Sequence, residues 1–254
     1  MTRTLLLLIV IVFGVNGICF AVGVKGTPHD LSALSSTSGP KAVTEKQICV
    51  FCHTPHDAYA GTTLWNHKLS NITQYTLPNS PSQLSTPTNP PDGSSKLCLS
   101  CHDGTVALGA VLLASQSNIP IVMQRAGPGG VMPGIPITGE HAGLNLGTDL
   151  SGTHLVSIAV NDQLINDKNA QFAKNQSSFR LAYPPLGDKV KLSLTGNYYK
   201  GSPGKDMKGI QCTSCHDPHD NTNGKFLVKP VTDSGQTSLS LQGGTLCETC
   251  HPIQ

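Results

Sequence analysis

The sequence predicts a mostly irregular, loop-rich fold with short helices and few short strands, its interior filled by something other than its own side chains. Two observations lead there. Only 5% of the 254 residues are aromatic, while 26 glycines and 18 prolines favour turns and loops, a composition that makes a poor protein core. A five-residue pattern, two cysteines separated by two residues and followed at once by histidine, recurs four times: CVFCH at 49–53, CLSCH at 98–102, CTSCH at 212–216 and CETCH at 247–251. Four bulky groups bound at these points would supply the missing buried apolar surface.

Taken in order, the chain opens with MTRTLLLLIVIVFGVNGICFA: Arg3, an apolar run from Leu5 to Val15, then small residues. Residues 1–21 read as an export signal, with cleavage after Ala21 or Gly23. The uninterrupted run is too short to cross a bilayer comfortably, an uncleaved anchor being the alternative. Cys19 lies within it, and Ile18 stands where a lipoprotein signal needs a small residue. A Gly, Ser and Pro-rich arm follows, VGVKGTPHDLSALSSTSGP, with little means of packing on its own subunit. Residues 22–114 form an N-terminal unit with two motifs, and 206–254 a C-terminal unit with the other two. Between them, 115–205 is a Gly/Pro-rich connecting region without a motif. Within it, AGPGGVMPGIPITGEHAGLNLG has no usable period, and DKVKLSLTGNYYK alternates well enough for a short strand or hairpin arm. Short helices are expected around each motif and at DGTVALGAVLLAS. In each pair the first motif is followed by a second histidine at one offset, CHTPHDA and CHDPHDN, and the second is preceded by leucine, a weak internal duplication.

The motifs use eight of the nine cysteines. In an exported chain eight cysteines would ordinarily suggest disulfides, but a disulfide scaffold has no need of histidine after every second cysteine. Two closed zinc sites could take the eight thiolates, which leaves four identically placed histidines as coincidence. Covalent haem c uses all three residue types: each thiol adds to one vinyl group, and the adjacent imidazole binds the iron. The expectation is four haems, held by Cys49 and Cys52, Cys98 and Cys101, Cys212 and Cys215, and Cys247 and Cys250, with His53, His102, His216 and His251 as proximal ligands. The formal charge of +2 falls by one when Arg3 leaves with the signal. Four oxidised haems, each adding about −1 through its propionates, bring the holoprotein to about −3. Nucleic-acid binding has no basic stripe to rest on, and no membrane span is expected after signal removal.

Six histidines remain outside the motifs: His29, His56, His67, His141, His154 and His219. His56 and His219 each follow a proximal histidine by three residues. On a helix-like turn that places them roughly 5–6 Å from it on the same side of the macrocycle. Each should therefore serve a different haem. The alternative is a solvent-facing polar turn.

The segments GTPHDLS, ICVFCHTPHDA, LWNHKLS, SKLCLSCHDGTVALG, LGTDLSGTH and CTSCHDPHDNTNGKFL resemble, in this order, exported multihaem cytochromes with doubled CxxCH motifs. Within that group they are similar to the tetrahaem, OmcE-type cytochromes that polymerise into extracellular conducting filaments. The resemblance implies closely stacked haems with histidine on both faces, and brings forward His29, His56, His67, His154 and His219 as distal ligands while leaving His141 behind. Where relatives commonly have His-Pro, this chain has Leu155 after His154.

An iron closed by two histidines exchanges electrons and binds nothing else. The leading expectation is an exported electron-transfer protein in the periplasm, at the cell surface or outside the cell. It would serve redox partner proteins or extracellular acceptors, as a homo-oligomer or filament in which His29 or another histidine crosses between subunits. A soluble periplasmic carrier and a redox subunit of a multihaem reductase are the alternatives.

Overall fold

The computed structural model describes residues 23–58, 64–78, 90–113, 120–134, 145–177, 179–195, 207–231 and 244–252. The expected export signal, Cys19 and His141 lie outside them. Regular elements are short. β1 (Lys41–Ala42) and a 3-10 turn (Cys49–Phe51) precede α1 (Gly93–His102); β2 (Met123–Gln124) and a second 3-10 turn (Pro128–Gly130) follow. Next come β3 (Ile158–Ala159), α2 (Asp162–Ala173), β4 (Ser193–Thr195), β5 (Met207–Ile210), α3 (Cys212–Cys215) and α4 (Gly244–Glu248). The fold is thus loop-rich with short helices and short antiparallel strands. No helix among the described residues is long and apolar enough to cross a membrane.

β1 and β2 pair antiparallel, Lys41 opposite Gln124. The second sheet has the order β3-β5-β4, both pairings antiparallel. β5 is central, and Gly209 stands where it passes β3: a Cβ there would run into the Ile158 carbonyl, so only glycine allows this approach. The apolar core is small, Ala42, Val50 and Phe51, with Leu31, Cys52, Ile121 and Met123 packed against it. Among the described residues, buried polar side chains are as numerous as buried apolar ones. Directional hydrogen bonds thus carry much of the specification that a larger core would otherwise provide.

Three sequence expectations are corrected. The helix expected at DGTVALGAVLLAS is turn and extended chain over its described part, 103–113. Its backbone is used by other segments: Lys68 N donates to Ala110 O (2.8 Å), Leu112 N to Asn66 O (2.7 Å) and Ile121 N to Gly109 O (2.9 Å). Long-range pairing outcompetes local helix there. Conversely, α2 arises in the connecting region where no helix was expected. Its signal was Asn161, whose side chain caps the helix by accepting from Leu164 N at 2.8 Å. The Gly, Ser and Pro-rich arm packs on its own subunit over its described residues, from 23 on. Asp30, 3% exposed, accepts from Gly26 N, Ser32 N and Ser32 Oγ, while Ala33 N and Ala42 N bind Glu45 O and Leu31 O. A buried carboxylate with three donors organises a segment that composition alone reads as loose.

Candidate haem-binding site

Each motif is one turn of helix that ends at its histidine. His53 N donates to Cys49 O (2.8 Å), His216 N to Cys212 O (3.0 Å) and His251 N to Cys247 O (2.9 Å), while the second motif closes α1 with Asp103 N on Leu99 O (3.0 Å). That turn sets two thiols three positions apart on one side, with the imidazole following them. α3 is stabilised by a reciprocal cap between Gln211 and Ser214.

All eight described cysteines are free thiols. Burial pushes Cys52 up to about 11 and Cys215 to about 11, and raises Cys101 still further. Cys98 and Cys212, from different motifs, influence one another: the neighbouring thiol, with burial, raises Cys98, while the Cys98 thiol lowers Cys212. Among the described residues no group of three or more His, Cys, Asp or Glu side chains is arranged to hold a metal ion.

An imidazole nitrogen binds a first-row metal at about 2.0 Å and the ring centre lies about 1.1 Å behind it, so two imidazoles closing one metal from opposite sides have centres about 6.2 Å apart. Three motif histidines have a second histidine at that spacing. His219 lies 6.0 Å from His53 with planes 19° apart, His29 lies 6.1 Å from His102 at 62°, and His154 lies 6.3 Å from His251 at 52°. His154 Nδ1 is held by Leu155 O (2.9 Å), His251 Nδ1 by Arg180 O (3.0 Å) and His216 Nδ1 by Lys225 O (2.8 Å). A ring N–H committed to a carbonyl leaves the lone pair on Nε2, the tautomer a metal ligand needs.

His29 is positioned by Phe226, on which it stacks at 4.2 Å and 12°. Phe226 and its neighbour Lys225 are both left-handed, φ 58° and 49°, conformations uncommon for such residues. The turn is held by Phe226 N donating to Asn221 Oδ1 (2.9 Å) and Asp217 N donating to Phe226 O (2.8 Å). Burial first, then the neighbouring His102, His219 and His216, push His29 down to about 4 against the opposing effect of a hydrogen bond to Pro218. The ring is therefore neutral at physiological pH.

The other two candidates stand apart. His67 is fully buried, with Nδ1 2.8 Å from Lys68 O and Nε2 3.1 Å from Ala107 O. His56 is 72% exposed beside Asp57, its Nδ1 3.0 Å from Oδ2. His216 has no histidine ring stacked or edge-on to it among the described residues.

Residues that motif reading did not single out complete the site. Trp65, the single tryptophan, sits edge-on to His53 at 6.1 Å and 88°, and its Nε1 is buried without a hydrogen-bond partner. An orphan donor beside the first motif suits a carboxylate such as a haem propionate. The thiol pairs, the histidine spacings and this donor together fit haem. The CxxCH motifs indicate a multihaem c-type cytochrome-like protein. A family described as the doubled CXXCH motif matches residues 205–253, the third and fourth motifs with their surroundings. No curated protein matches the chain.

Proposed function

We propose that this chain is an exported tetrahaem electron-transfer cytochrome with histidine on both faces of its irons, and that it polymerises head to tail outside the cell. The observation that carries the reading is the spacing of the three histidine pairs, 6.0, 6.1 and 6.3 Å between ring centres. Haem supplies one-electron redox chemistry; the chain supplies thiols to anchor it and imidazoles that deny it a free coordination position. His53 pairs with His219, His102 with His29 and His251 with His154. His219 follows the third motif yet stands beside the histidine of the first, so one segment serves two attachment sites and brings them close.

Among the described residues His216 has no second histidine at that spacing, and on this reading its donor comes from another copy. His56 repeats the relation of His219 to its motif and is 72% exposed, so it suits His216 of a second copy. That contact is heterologous and, unless it closes into a ring, propagates as a filament that ends on redox partners or extracellular acceptors. The same feature supports the rival reading: if His216 has no partner in any assembly, its iron is open, as in a multihaem reductase. Carbon monoxide titration of the reduced protein separates the two. The filament reading predicts no prompt binding in the assembled protein and one binding site per chain in a His56→Ala variant. Prompt binding by assembled wild-type protein would overturn it in favour of the reductase.

A further inference from the structure

Gln211 lies immediately before Cys212 and is 1% exposed. Its Oε1 accepts from Ser95 N (3.0 Å), Ser95 Oγ (2.5 Å) and Ser157 Oγ (3.2 Å), and its Nε2 donates to Asp92 Oδ1 (3.0 Å). Gln211 N donates to Ser214 Oγ (3.0 Å) and Cys212 N to Ser95 Oγ (3.0 Å). Asp92 Oδ1 also accepts from Thr195 Oγ1 (2.8 Å), and Asp92 N donates to Ser157 Oγ (3.0 Å). Ser94 Oγ and Thr213 Oγ1 share a further bond at 2.6 Å. The network joins the first turn of α1 to the first turn of α3, with β3 and β4 supplying its walls. Gly93, at φ +50°, makes room: a Cβ there would sit 3.1 Å from Gln211 Nε2 and 2.8 Å from Leu194 O.

The joined helices carry the second and third motifs, which belong to different CxxCH pairs, and the bonds from Cys212 N to Ser95 Oγ and between Ser94 and Thr213 show how closely the two helices meet. An apolar contact between two short helices tolerates sliding. A buried amide with both its atoms engaged admits one register, because any shift leaves donors and acceptors unpaired. We propose that Gln211, with Asp92 and Ser95, is a positioning residue that fixes the separation and orientation of the haems attached at the second and third motifs, and so sets the electronic junction between the two halves of the chain. The inference rests on the electron-transfer reading and extends it to a named device.

The test uses full-length holoprotein in four forms: wild type, Gln211→Leu, Ser95→Ala and Leu164→Ala, the last a buried residue of α2 outside the network. Haem content comes from intact mass, the coupling between neighbouring haems from the Soret circular-dichroism couplet, and stability from chemical unfolding. Gln211→Leu and Ser95→Ala should keep four haems and a low-spin spectrum but lose couplet intensity, while Leu164→Ala loses stability and keeps the couplet. An unchanged couplet in Ser95→Ala and Gln211→Leu, or an equal loss in Leu164→Ala, overturns the positioning role. Should Gln211→Leu fail to fold, Ser95→Ala, which deletes one hydroxyl and two of the bonds, decides alone. A wild-type mass without haem overturns the electron-transfer reading itself, and mass alone distinguishes that failure.

Discussion

Replacing His219 by Ala removes the ring that stands 6.0 Å from His53. The exposed position makes this a clean perturbation, since the His219 side chain is 62% exposed and its loss leaves no cavity to collapse. On the proposed pairing one iron of four loses a ligand, so about a quarter of the low-spin signal should convert to five-coordinate, high-spin form. The geometry specifies which quarter. Near-parallel imidazole planes split the iron orbitals and spread the low-spin g-values into a rhombic pattern, whereas crossed planes leave the orbitals nearly degenerate and give one large g. The His53–His219 planes lie 19° apart, against 62° and 52° for the other two pairs. Electron paramagnetic resonance of the oxidised variant should therefore lose rhombic intensity and keep its large-g signals. The haem attached at Cys212 and Cys215 should be unaffected, although it is the nearest in sequence. An unchanged spectrum, or loss confined to a large-g component, refutes the pairing.

Two further outcomes follow from burial. His29 is held neutral to about pH 4 instead of its usual 6.5. A lowered value favours the unprotonated ring, so the change runs toward acid: in the haem-free protein His29 should stay neutral through pH 6.5 and protonate only near pH 4, as read by histidine NMR titration. A transition centred at 6.5 would contradict the burial of His29. Phe51, 1% exposed at the centre of the small apolar cluster, should cost about 3–5 kcal/mol on replacement by Ala, measured by chemical unfolding of the holoprotein.

The sequence displayed the anchoring chemistry openly because it is local: two thiols and an imidazole must share one helical turn, so their spacing is written into five consecutive residues. It also named His29, His56, His67, His154 and His219 as ligand candidates, of which His29, His154 and His219 stand beside motif histidines. Which motif histidine each would stand beside was not legible, since those pairings span separations such as 53 to 219 and depend on how loops cross. His67 shows what sequence does not display: it follows Trp65 and Asn66, and its two ring nitrogens lie near the carbonyls of Lys68 and Ala107. Gln211 was invisible for a related reason: a lone glutamine before a motif gains meaning only when Asp92, Ser95 and Ser157 converge on it. The arm around His29 read as loose because three donors to one buried aspartate leave no compositional trace.

The account stands on covalent haem at every motif, and the most direct test is the intact mass of the mature, exported protein under denaturing conditions. The prediction is a polypeptide beginning just after Ala21 or Gly23 that carries four haems, with no thiol left to react with an alkylating reagent. A mass equal to the polypeptide alone, with its motif cysteines free or joined in disulfides, would contradict it.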